Sequence, residues 1–285
     1  MSIFVRAFYV YIILLCGTPT FAEDLALELA NWLLDSESYE DAITEYKRFI
    51  FFNPKSDGVN YAYYKIGLAH RNEHKWTESL NALQQAIQTA ASDSIRDERK
   101  IALAVTLIAS GNYSAAEIEL LKVELFSQFK SLKKKAAFFR GISTLYAFKW
   151  DASRNAFNKY FDDTTIIGKH VDSLLAISQQ LKYKSPKFAK LLSTILPGAG
   201  QIYVGDWRNG INALAINMVT GYLLTDALLE HRYNDALFSF LWLFQRYYLG
   251  NRHHAEEIAQ RYNLHLNQLL AERILQNLLL GVEEF

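Results

Sequence analysis

The sequence predicts an all-α fold, an α-solenoid of stacked helical pairs followed by an apolar helical module. Three observations carry this. A 37-residue register recurs four times in the first half, apolar residues inside it fall three and four apart, and past Pro186 the charges thin out into a glycine-rich string and long apolar stretches. The chain has 285 residues, 51% of them hydrophobic and 14% aromatic, which suffices for one or two cores and excludes a charge-rich disordered chain. Four Pro and 13 Gly exclude collagen-like or linker-like material. Lys and Arg number 30 against 30 Asp and Glu, and the balance holds locally, with 21 basic and 21 acidic residues from Glu23 to Ser185 and 8 and 9 beyond. Neither part has the cationic excess that phosphate neutralisation requires, so no nucleic-acid partner is expected.

Residues 1–22 read as a signal peptide. Arg6 is their only charge, an apolar run from Ala7 to Cys16 follows, and small residues lead to a cut before Glu23. Ten apolar residues are too few to cross a bilayer, which takes about 20 as a helix. An uncleaved anchor is the alternative. Cys16 is the single cysteine and would be removed, so disulfides, thiol catalysis and cysteine metal sites are not expected in the mature chain. Lipidation at Cys16 is disfavoured because Leu15 stands where a small residue belongs. The expected location is the periplasmic face of a cell envelope.

Residues 23–170 hold the register. Tyr39, Trp76, Tyr113 and Trp150 are each 37 apart. Ala30, Gly67, Ala104 and Gly141 form a small column, Ala42, Ser79, Ala116 and Ser153 a second, and Tyr46, Leu83, Leu120 and Phe157 a large apolar one. Each unit reads as two helices and a short turn: close crossings need the small residues, and the large column fills the space between units. Asn53-Pro54 ends the first unit, since proline disfavours helical geometry in the residue before it.

This pattern resembles the tetratricopeptide repeat family. The resemblance rests on Leu29, Ala30, Ala42, Tyr46 and Pro54 in the first unit, Tyr63, Ile66, Gly67 and Ala86 in the second, Leu103, Ala104 and Ala116 in the third, and Gly141 and Phe157 in the fourth. The period is three longer than the family's usual 34, and Arg140 stands where an apolar residue belongs. The resemblance implies a non-catalytic protein that binds a protein or peptide segment on the face made by the first helices. Positions matching the family's groove are Asn31, Tyr61, Tyr64, Leu68, Arg71, Ile101, Lys135 and Phe138. Aromatics beside isolated cations suit a peptide with apolar anchors, while the alternative is that Tyr61, Tyr64 and Phe138 pack between helices.

Residues 171–185 read as a linker. A short helix then ends at Pro197, and the string Pro197-Gly198-Ala199-Gly200-Gln201-Ile202-Tyr203-Val204-Gly205, with Gly210 beyond, implies a tight return between two apolar helices. It lacks the Lys and hydroxyl of a phosphate loop and the spacing of a dinucleotide fingerprint, so no nucleotide cofactor is expected. Ile211–Leu229 is a 19-residue apolar stretch, about 28 Å as a helix, close to the ~30 Å hydrocarbon core. Asn212, Asn217 and Asp226 interrupt it, and a deep carboxylate costs about 2.5–3.5 kcal/mol, so a hairpin or interfacial helix pair is favoured over a soluble lid. The string, with Asn217, Gly250, Asn251, Ala255 and Tyr262-Asn263, resembles a bacterial envelope domain of uncharacterised function, similar in pattern to two-transmembrane-helix domains. That resemblance implies location and topology for residues 186–263 rather than chemistry.

The remaining ionisable residues suggest little chemistry. His253 and Glu257 share a helix face but lack the third ligand a zinc site needs, so no metal is expected. Asp226 calls for a partner among Arg208, Arg232 and Arg246. Lys133-Lys134-Lys135 reads as a solvated turn or a contact with acidic headgroups. Residues 264–285 read as an amphipathic helix that caps the stack or dimerises. The reading is an envelope scaffold or adaptor without enzyme activity. The other reading makes the apolar module active on a lipid or small solute around Asp226, Asn217 and Gln201.

Overall fold

The computed structural model describes residues 19–161 and 166–282, and all regular elements among them are helices. Arg6, the apolar run 7–16 and Cys16 of the candidate signal lie outside the described residues; helix α1, Pro19–Asp35, runs through the candidate cut at Glu23. The chain divides into two compact units at Lys169/His170.

The first unit holds α1, α2 (Tyr39–Phe52), α3 (Gly58–Asn72), α4 (Trp76–Gln88), α5 (Asp93–Ala109), α6 (Tyr113–Phe126), α7 (Lys130–Tyr146) and α8 (Trp150–Tyr160). Each packs on its neighbours in sequence, and α5 also touches α7. The four register aromatics are the first residues of α2, α4, α6 and α8. Two positions before each lies a left-handed residue: Glu37, His74, Gly111 and Phe148, with φ of 60°, 58°, 79° and 57°. The turn between them is a Schellman closure, in which the N–H of Ser38, Lys75, Asn112 or Lys149 donates to the carbonyl of Leu33, His70, Leu107 or Thr144 at 2.8–2.9 Å. One geometry recurs every 37 residues.

The columns explain the packing. All three are buried in every copy. A Cβ on Gly67 would lie 2.6 Å from Leu83 Cγ, and one on Gly141 would lie 2.6 Å from Phe157, so the small column seats the large side chain sixteen residues later. The two small columns also covary. Where the first is Ala the second is Ala; where the first is Gly the second is Ser, and the hydroxyls of Ser79 and Ser153 donate to the carbonyls of Gly67 (2.7 Å) and Gly141 (3.0 Å). Arg140, the misfit of the pattern, is buried and forms a bidentate pair with Glu124 from α6, which also accepts from Lys159 at 3.2 Å. A charge at a core position is tolerated because its partner is delivered by the preceding helix.

The second unit begins in α9 (Ile166–Ala176), which buries Val171, Leu174 and Leu175 and continues as a 3₁₀ turn to Gln180. Most of the expected linker is therefore helical. After α10 (Pro186–Ile195) come α11 (Ala199–Val204), α12 (Trp207–Leu229), α13 (Tyr233–Phe238), a π-helical turn (Ser239–Phe244) and α14 (Gln245–Val282). The 38 residues of α14 are continuous, so the expected boundary at 263/264 falls inside one helix, whose later part buries Leu270, Ile274 and Leu278. Helices α10, α11 and α12 all pack on α14.

Candidate functional site

In the first unit the groove-matching residues sit on four helices: Asn31 on α1, Tyr61, Tyr64, Leu68 and Arg71 on α3, Ile101, buried, on α5, and Lys135 and Phe138 on α7. Asn31 and Tyr61 meet. The carboxamide oxygen of Asn31 accepts from the hydroxyls of Tyr46 (2.6 Å) and Tyr61 (2.9 Å), and Lys65 lies over the Tyr61 ring. Burial pushes the Tyr46 hydroxyl above its ordinary range, so it remains a donor. Arg99 stacks on Tyr64 at 4.0 Å and donates to Asn60 Oδ1, and burial lowers its pKa from the usual guanidinium value. Phe138 packs against Phe139, Phe157 and Tyr160. These aromatics hold helices together, while Lys135 is exposed and Leu68 and Arg71 are half-buried.

In the second unit the glycine string is a helix crossing. Gly198 has φ 93°, and a Cβ there would stand 2.0 Å from the Gly210 carbonyl oxygen; on Gly200 it would stand 2.1 Å from the Ala189 oxygen. Backbone therefore meets backbone at two places, where no side chain fits. Pro197 lies in the turn before α11. Gly205 (φ 108°) and Asp206 repeat the Schellman turn of the first unit, with Trp207 as the following aromatic. Tyr203 lies against Phe188 and Lys184, and its hydroxyl accepts from the Ser185 N–H. Asn263 holds the Lys184 main chain through its N–H and its carbonyl, each at 2.8 Å.

Gln201 and Asn217, which sequence reading singled out, line one pocket of about 440 Å³ between α12 and α14; Asp226 does not. Asp226 pairs with Arg232 at 2.6 Å in the turn after α12, where Arg232 also holds Glu230 and Asp235. The pocket is walled by Gln201, Asn209, Asn212, Asn217 and Asn251, with Arg246, His254 and Gly250 beside them. Gln201 is 1% exposed, accepts from the Ser193 hydroxyl at 3.0 Å and donates to Asn251 Oδ1 at 2.5 Å. Asn251 Nδ2 and Asn217 Oδ1 are buried polar atoms with no hydrogen-bond partner among the described residues. From the sequence Arg246 is a candidate partner for Asp226 and His254 has no role; each stands four residues from Gly250, and only the return of α14 brings them to the carboxamides.

Outside the pocket, α12 and the segment that returns from it carry many uncovered apolar side chains. Along α12, Met218 is 65% exposed and Tyr222 68%, with Ile211, Val219, Leu223, Leu228 and Leu229 also uncovered, and Leu237, Phe238, Leu241 and Trp242 continue the surface on the returning segment. Helix α12 is long and apolar enough to cross a membrane. No family model matches the chain, and no curated protein matches it.

Proposed function

We propose that the protein is a membrane-attached adaptor of the cell envelope: a tetratricopeptide-like α-solenoid that captures a protein or peptide segment, tethered through the helical hairpin α12–α14. The observation that carries the reading is the uncovered hairpin surface. Monomeric soluble proteins rarely expose contiguous apolar patches beyond a few hundred Å². Here 11 large apolar side chains from Ile211 to Trp242 named above are each 42–76% exposed, and a bilayer is the partner that would cover them. The aromatic turns support it. Trp207 begins α12 and Tyr233 follows its end, so amphipathic rings stand at both ends of the apolar helix, as at a lipid–water boundary. Glu230, Arg232 and Asp235 lie past the end of α12, and Arg232 draws the Asp226 carboxylate toward that same turn.

Support for capture comes from the repeated helical pairs, whose stack leaves Lys135 exposed and Leu68 and Arg71 half-buried on first-helix faces. No step of catalysis is part of the reading. Carbonate washing of membranes carrying the full chain tests attachment: the protein is expected in the membrane fraction, and its release into the wash would overturn the tether. Crosslinked pull-down from envelopes tests capture, with one reproducible partner expected that is lost on charge reversal at Arg71 and Lys135. Equal recovery with both reversed would remove the groove.

A further inference from the structure

We propose that the carboxamide pocket between α12 and α14 binds the headgroup of a membrane lipid that carries both a phosphodiester and hydroxyl groups. The inference rests on the membrane reading of the hairpin and adds a ligand to it.

Hydrogen-bond direction fixes the role of each polar atom in the pocket. The Gly200 N–H can only donate, and it donates to Ser193 Oγ at 3.0 Å. The Ser193 proton is thereby turned to Gln201 Oε1, at 3.0 Å. Gln201 must then present its Nε2 to Asn251, and Asn251 answers with Oδ1. The last atom of this relay, Asn251 Nδ2, is fixed as a donor. It has no acceptor among the described residues, although Asn251 is 7% exposed. On the facing helix, Asn217 Nδ2 donates to the Ala213 carbonyl at 2.8 Å, which can only accept. Asn217 Oδ1 is thereby fixed as an acceptor, also unpartnered, in a residue 6% exposed. A buried polar group left unpaired costs about 1–3 kcal/mol, so a ligand that brings both an acceptor and a donor gains at these two atoms.

The charge selects the acceptor. Arg246 and His254 are the titratable groups beside the carboxamides, Tyr247 apart, and no carboxylate lines the pocket. His254 has Glu257 at 3.8 Å, while Arg246 is exposed and carries no ion pair among the described residues. An anionic oxygen is the complement, and a guanidinium suits phosphate. Hydroxyls on the same headgroup supply the donor for Asn217. The lipid rather than a free phosphate is favoured because the pocket is walled on one side by Ala213 and Ile216 of α12, whose neighbours Met218 and Val219 are uncovered and offer a track for acyl chains.

The test uses the full chain extracted in mild detergent, with retained lipid counted by native mass spectrometry. Phosphatidylglycerol is expected to be held about tenfold or more over phosphatidylcholine, whose headgroup lacks a donor. Asn251→Asp keeps the shape and the acceptor for Gln201 but replaces the donor with an anionic oxygen, and a tenfold or larger loss is expected. Arg246→Gln, at an exposed site that folding does not need, is expected to lose a similar factor and carries the test if Asn251→Asp fails to fold. Equal retention of the two lipids, or unchanged retention in folded Arg246→Gln, would overturn the proposal. So would displacement of the lipid by millimolar glycerol 1-phosphate or inorganic phosphate, which would identify a free anion as the ligand. These outcomes are separable from failure of the tether, since a protein released by carbonate refutes the membrane reading, whereas a protein retained there with no headgroup preference refutes the pocket alone.

Discussion

The two units are built with the same turn and differ in what covers the helices it joins. Six turns share it: Glu37, His74, Gly111 and Phe148 in the repeats, Gly205 and His231 in the second unit, each with positive φ and each followed two residues later by Tyr or Trp. In the repeats those rings are half-buried: Tyr113 stacks on Tyr146 of the next pair, while Trp76 and Trp150 lie against His74 and Phe148 of their own turns. In the second unit Trp207 is 57% exposed and Tyr233 66%. A Schellman turn thus sets the hairpin and leaves burial to the neighbours. The repeats bury their three columns against one another, and the large apolar side chains they leave exposed lie in short groups, among them Leu25, Leu29 and Trp32 on α1, Phe51 and Phe52 on α2, and Ile118, Leu121, Leu125 and Phe126 on α6. The α12 hairpin has no neighbour on its outer side, and a bilayer is the proposed substitute.

The largest expected effect tests how self-contained the repeat unit is. Arg140→Leu leaves Glu124 buried with only the half-exposed Lys159 to answer it, which should destabilise the unit by about 3–5 kcal/mol. Glu124→Leu with Arg140→Leu should recover most of that. Urea unfolding followed by circular dichroism, in detergent with and without added lipid, reads both. An equal loss in the double variant would mean that packing, rather than the pair, holds α6 to α7.

How much of this was legible follows from the range of the interactions. The register and its three columns are visible because each contact is short in sequence, sixteen residues from Gly67 to Leu83 or from Gly141 to Phe157. Glu124 and Arg140 have that same separation, so the partner of the misfit arginine was present in the register although composition alone gave no reason to pair them. The left-handed column was hidden, since Glu, His and Phe are not residues that announce positive φ, and only Gly111 does. The string at 197–205 was legible as a tight return. Its partner Asn251 lies fifty residues from Gln201, and no local pattern indicates which of many asparagines closes such a contact. Asp226, prominent as a carboxylate in an apolar helix, proves to be a surface partner of Arg232 six residues on.

The next effect separates the two kinds of exposed apolar surface. Val219→Asp on α12 and Phe51→Asp on α2 both place a carboxylate at an exposed position. In water each should change stability by no more than about 0.5 kcal/mol. In a bilayer the α12 substitution should cost about 2.5–3.5 kcal/mol and lower the membrane-bound fraction, measured by flotation with vesicles, while the α2 substitution should leave it unchanged. Identical behaviour of the two would erase the distinction between the units.

The smallest effect probes the turn they share. A left-handed non-glycine residue costs about 1–2 kcal/mol, and glycine returns about 0.5–1 kcal/mol of that through the greater freedom of its unfolded chain. Glu37→Gly should therefore stabilise the repeats by a few tenths to about 1 kcal/mol, since Glu37 is exposed and its side chain adds no packing. His231→Gly has the same φ to relieve, 57° against 60°, and His231 is exposed as well, but its ring also stands 3.3 Å from the Tyr233 hydroxyl. Its gain should be smaller by the worth of that one exposed contact. Thermal melts of the two variants against the parent, each read by hydrogen exchange at the helix ends flanking its own turn, compare them directly. A gain at Glu37 with a clear loss at His231 would mean that the histidine ring does more at the hairpin tip than close a turn, and the likeness between the units would then stop at the backbone.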